Sequence, residues 1–85
     1  MDPVQPPGAP DPELTYGGKA VGLTFNPSGD EAVTRCKEGF ATLIDQLNYH
    51  RMYSIHDEAK RLCSIAITEA QTAQMWAVKA LTWKD

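Results

Sequence analysis

Glu58-Ala-Lys-Arg-Leu-Cys-Ser-Ile-Ala-Ile-Thr-Glu-Ala-Gln-Thr-Ala-Gln-Met-Trp-Ala-Val-Lys-Ala-Leu81 is the stretch whose reading decides the fold. No Gly or Pro interrupts it, and Ala, Leu, Met, Glu, Gln, Lys and Arg, all strong helix formers, dominate it. Leu62, Ala66, Ala70, Ala73, Ala77 and Leu81 recur at spacings of three and four, which makes one apolar stripe of a helix. Ser64, Thr68, Gln71 and Met75 run beside that stripe without charge, where an ordinary surface helix places Lys and Glu. The helix therefore reads as covered on more than one side. A chain of 85 residues has little else to cover it with, so other copies of the chain are the expected cover.

Upstream of this stretch, Ser54 followed by Asp57 has the spacing of a helix start, and the helix is expected over about 55–83. Asn48-Tyr-His-Arg-Met-Tyr-Ser54 reads as a connection. Before it, Val33, Cys36, Phe40, Leu43, Ile44 and Leu47 give the apolar face of another helix, over about 30–49. Ser28 and Glu31 have capping-box spacing at its start, and Asp30 and Glu31 suit the positive end of the helix dipole. Gly39 interrupts that helix at about 1 kcal/mol relative to Ala, which a close approach by another backbone or a ligand would justify. Two helices with a short connection predict an all-α fold, a long antiparallel helical hairpin, assembled into a homo-oligomeric bundle.

Residues 14–29 precede the hairpin. They hold four glycines and one proline, yet also Leu14, Tyr16, Val21, Leu23 and Phe25. A plain linker would not carry so many apolar side chains, so the segment is expected to be an ordered loop packed on the helices. Asn26-Pro27-Ser28-Gly29 is a turn signature. Residues 1–13 contain five of the six prolines and three acids without a Lys or Arg; they read as a flexible, Pro-rich acidic arm. The domain is then 14–85.

The net charge of −3 resides in that arm, since the eight remaining acids balance eight Lys and Arg from Leu14 onward. A neutral folded part argues against binding to long nucleic acid, which needs a broad basic surface. No apolar run approaches the roughly 20 residues that cross a bilayer, and the N-terminus lacks the features of a secretory signal. Cys36 and Cys63 are then expected as free thiols on apolar faces. With His50 and His56 they have no metal-ligand spacing, and nothing calls for a cofactor. No nucleophile–base motif and no phosphate-cradling glycine loop is present, so the chain does not read as an enzyme.

A binding site is more consistent with the residues. In an antiparallel hairpin the start of the first helix lies beside the end of the second. The Phe25–Gly29 loop, Lys37 and Lys79 should therefore share one end, and Arg61 the other. Phe25, with Tyr16 as a further aromatic, offers a flat surface for stacking on a base. Asn26 and Ser28 can donate to phosphate or base edges, and Lys19, Lys37 and Lys79 can neutralise phosphates. An alternative reading is a structural or inhibitory helical protein-interaction module, using the uncharged flank of the second helix and no small ligand.

Read together, Lys19-Ala-Val-Gly-Leu-Thr-Phe-Asn-Pro-Ser-Gly-Asp30 and the Lys60–Trp83 stretch resemble the phage anti-CBASS cyclic-nucleotide sponge family, whose fold is shared with the hinge domain of Thoeris anti-defence proteins. The likeness covers roughly 14–84. It implies a homohexamer of antiparallel helical protomers, acting in the cytoplasm of the infected bacterial host. It further implies sequestration of cyclic di- and trinucleotide messengers without cleavage. By this resemblance Phe25 with Asn26 takes the stacking role, Lys37 a phosphate, and Lys79 the role of a late basic residue. Tyr16 with Lys19 competes for the first role and Arg61 for the last.

Overall fold

The computed structural model describes residues 14–85; the Pro-rich arm expected over 1–13 lies outside the described residues. It is all-helical there: α1 spans Tyr16–Ala20, α2 Glu31–Tyr53 and α3 Asp57–Leu81. α2 and α3 pack along each other, and α1 lies against α2. The hairpin is antiparallel: Arg51, near the end of α2, meets Ser64, early in α3, while Val33 and Lys37 share a groove with Val78 and Thr82. The core is small. Val21, Ala41, Ile44, Ile67 and Ala70 form its buried cluster, ringed by the half-buried Ala20, Leu23, Phe40 and Leu47.

The stripe of α3 that faces α2 is Cys63, Ile67, Ala70 and Gln74, one residue round the helix from the expected line. Leu62, Ala73 and Leu81 of that line are exposed. The reason is the partner: a single neighbouring helix covers a narrow strip, and the wider apolar surface of α3 leaves a flank uncovered. On α2 the buried positions are Val33, Lys37, Ala41 and Ile44, so a lysine lies where the pattern suggested only apolar residues. Leu43, expected inside, is exposed.

The connection is shorter than expected. α2 continues to Tyr53, and only Ser54, Ile55 and His56 join it to α3. The 48–53 stretch has no Gly or Pro to break it, and its own side chains favour the helix. Asn48 accepts from Arg51 at 2.6 Å, and the rings of Tyr49 and Tyr53, one turn apart, stand 4.7 Å between centroids. Ser54 closes α2 as its C-cap, and His56 precedes α3 without a side-chain cap. At the start of α2 the cap is Asp30, which accepts from Ala32 N at 2.8 Å; Ser28 instead accepts from Asp30 N at 3.2 Å.

The expected loop over 14–29 contains α1. Two consecutive glycines conceal it from propensity arguments, but local bonds and packing outweigh the propensity. Thr15 caps the helix, accepting from Gly18 N at 3.0 Å. Gly17 lies so close to α2 that its N–H donates to Asp45 Oδ1 at 2.7 Å. Past the C-cap Val21 the chain turns at Gly22, at φ 62°, with Leu23 N bonded to Gly18 O and Gly22 N to Lys19 O. That pair of bonds is the Schellman arrangement, which satisfies the last carbonyls of the helix. It turns the chain towards Phe25 and the start of α2.

Candidate ligand site at the open end of the hairpin

Residues 22–30 form the loop that lies across the end of the hairpin away from the connection. Asn26 clamps it to α2: its Nδ2 donates to Asp30 O at 2.9 Å and to Thr34 Oγ1 at 3.0 Å. Ser28 Oγ donates to Asn26 Oδ1 at 2.6 Å, which fixes the amide. Asn26 and Ser28 are therefore spent on shaping the loop. The N-terminal amide of α2 at Ala32 is taken by Asp30, so this helix end is not an open anion site.

Lys37 is the unusual residue. It is 5% exposed, and its Nζ donates to Gly22 O at 3.0 Å and to Phe25 O. The same ammonium lies 5.5 Å from the centroid of the Phe25 ring, within cation–π range. An ammonium has three donors, and two are used here. Its partners are neutral carbonyls, so the positive charge is not cancelled. Among the described residues the single ion pair is Arg61 with Glu58.

Above this lysine lies a groove of about 280 Å³, walled by the Phe25–Ser28 loop, Val33 and Lys37 of α2, and Val78 of α3 with its C-cap Thr82. Its walls are mainly apolar, with the lysine at its base. The Phe25 ring remains 69% exposed at its rim. The volume falls just short of the roughly 300–1,000 Å³ of small-molecule pockets. One chain thus offers part of a site: a flat ring, an apolar wall and a buried positive charge.

Phe25, Asn26, Ser28 and Lys37, expected together, are together. The other four are elsewhere. Tyr16 lies towards the connection, where the Arg51 guanidinium sits 5.5 Å from its ring. Arg51 also donates to Ser64 Oγ at 3.1 Å and to Asn48, so it braces α1, α2 and α3 at once. Lys19 is exposed in the last turn of α1. Arg61 grips Glu58 through two bonds of 2.9 and 2.7 Å. That contact draws the Glu58 carboxyl below its usual range and raises the guanidinium of Arg61. Lys79 is exposed on α3 and does not line the groove.

Val33, Val78 and Thr82 belong to the groove and were not expected there. Their signal was the spacing of Val33 with Lys37 and Val78 with Thr82: each pair is one helical turn apart, at the ends an antiparallel hairpin brings together. Among the described residues no group of His, Cys, Asp and Glu could hold a metal ion, and no helix is long and apolar enough to cross a membrane. Cys36 and Cys63 are free thiols, the latter buried.

No curated protein and no solved structure matches the chain significantly. The family described as Acb2/Tad1, hairpin domain, matches residues 18–82, which takes in α2, α3, the groove loop and most of α1. With three quarters of its length matched, this chain belongs to the Acb2/Tad1 hairpin-domain family.

Proposed function

We propose that this protein captures cyclic di- and trinucleotide immune messengers without cleaving them, in the cytoplasm of an infected bacterial cell. Membership of the Acb2/Tad1 family points to an anti-defence role. The observation that carries the finer reading is the exposed Phe25 ring over the uncancelled charge of Lys37, beside an apolar groove. A nucleobase stacks on the ring, and a phosphate gains from the ammonium below it. Because one groove is smaller than a typical ligand pocket, the reading includes self-association, with each site completed by a second chain; the sequence resemblance implies six copies. Thirteen large apolar side chains exposed among the described residues support that assembly, since a lone monomer rarely leaves so much uncovered.

Calorimetry against a panel of cyclic di- and trinucleotides, with chromatography of the recovered ligand, tests this reading. Binding with intact ligand is expected. No binding across the panel would overturn it, and recovery of linear products would make the protein a nuclease. Phe25→Ala should weaken binding by about 1–3 kcal/mol, the range for removing one base–aromatic stack, while the assembly keeps its mass in light scattering. The second reading is an inhibitory helical module for a partner polypeptide. It draws on the exposed Leu62, Ile65 and Trp76 of α3 and on Trp83 just beyond it. A chain that remains monomeric and ignores every nucleotide would favour it.

A further inference from the structure

The flank of α3 turned away from α2 has a pattern of its own. Ile65, Glu69, Thr72, Trp76 and Lys79 follow one another at alternating spacings of four and three, and Trp83 lies just beyond the end of α3. Such spacing keeps residues on one seam of a helix, as in a coiled coil. Trp76 and Trp83 are each 67% exposed, and Ile65 is also exposed. Glu69 and Lys79 are exposed within this apolar row, and among the described residues the only ion pair is the distant Arg61–Glu58. A solvated helix face does not explain an exposed tryptophan at a seam position with a second just past the helix end.

We propose that this flank pairs with the same flank of a second copy in antiparallel orientation, with Glu69 of each copy facing Lys79 of the other. The register follows from the charges. Placing Glu69 against Lys79 brings Thr72 opposite Trp76 and sets Ile65 against the C-terminal end of the other copy's α3. The large Trp76 indole then meets a smaller side chain, and every contact occurs twice about a twofold axis, as an isologous interface requires. A parallel pairing would set Glu69 against Glu69 and Lys79 against Lys79. Like charges juxtaposed within an interface are strongly unfavourable, so the sequence selects the antiparallel arrangement. The seam lies on the side of α3 away from the core, so the Phe25 groove stays open for ligand. Lys79, expected as a phosphate contact, is assigned to assembly instead.

This inference rests on the self-association included in the proposed function, and charge reversal tests it. Glu69→Lys and Lys79→Glu, each alone, should weaken self-association by about tenfold or more, read by sedimentation and light scattering at matched concentration. The Glu69→Lys/Lys79→Glu double variant should return to within a few-fold of wild type, because the swapped pairs are again opposite in sign. Circular dichroism should show all three variants as helical as wild type, the positions being exposed. Single variants that assemble normally, or a double variant as weak as the singles, would overturn the antiparallel register. In a parallel seam the single reversals exchange one like pair for another and change little, while the double swap gains nothing. A monomeric wild-type chain would remove the self-association reading as well. Nucleotide capture, read by calorimetry on the same variants, stands or falls apart from the seam.

Discussion

Gly17→Ala should lower stability by about 2–4 kcal/mol in urea denaturation, whereas Gly39→Ala, the same change in a longer helix, should raise it by about 0.5–1 kcal/mol. Both replace a helical glycine, so both gain about 1 kcal/mol from helix propensity. Their surroundings set the sign. A Cβ at Gly17 would stand 2.1 Å from the Ala41 carbonyl oxygen and 2.9 Å from Asp45 Oδ1. The obstacle is mainly backbone, which cannot rotate away, so α1 must move off α2. Overpacking of that kind costs about 1–3 kcal/mol. The movement also breaks the Gly17 N–Asp45 bond, a charge-assisted contact worth about 1.5–3 kcal/mol. Cost exceeds gain. At Gly39 an added Cβ meets nothing within 4 Å, so propensity acts alone. A loss of stability at Gly39 would mean that another chain approaches that backbone in the assembly. A Gly17→Ala protein as stable as wild type would mean that α1 is not docked on α2.

The hairpin was legible because its evidence is periodic and long. Some two dozen residues without a breaker after Asp57, and an apolar row from Val33 to Leu47, leave few alternatives to paired helices. Periodicity was less informative about rotation. The expected stripe of α3 began at Leu62, while the buried one begins at Cys63. Small residues such as Ala66, Ala73 and Ala77 fit either face, so composition alone could not choose between neighbouring stripes. α1 was hidden for the opposite reason. Its stability comes from close contact with α2, and the Gly17 that enables the contact carries a low helix propensity. Local preference and tertiary packing disagree there, and packing prevails.

The site divides along the same line. Phe25, Asn26, Ser28 and Lys37 lie close in sequence or at hairpin ends that topology brings together, and they could be grouped without coordinates. Their individual states could not. Asn26 and Ser28 resemble ligand donors in sequence yet hold the loop together. Lys37 looks like a solvated surface lysine, and burial against two carbonyls is a tertiary fact. Tyr16 was drawn towards the groove by its place in the same loop segment. α1 instead carries it back along α2 to Arg51.

Lys37→Met is expected to have the largest effect on ligand capture, because this lysine both shapes the loop and carries the charge. Methionine keeps most of the unbranched stem and the apolar packing against α3, but supplies no donor. The carbonyls of Gly22 and Phe25 then lose their partner. Each bond to a charged group is worth about 1.5–3 kcal/mol, while removal of a buried ammonium returns part of its desolvation cost. The balance should be a loss of about 1–3 kcal/mol in stability, read by denaturation. Affinity for a cyclic nucleotide should fall further than in Phe25→Ala, because the loop that presents the ring loosens and the only cation lining the groove disappears. Salt provides the separating measurement. If the ammonium attracts phosphate, wild-type binding weakens as salt rises, and the Lys37→Met protein shows a shallower dependence at whatever affinity remains. An unchanged salt slope with reduced affinity would assign Lys37 to loop support alone. Full retention of stability and affinity would remove it from both roles, leaving stacking on Phe25 to carry the site.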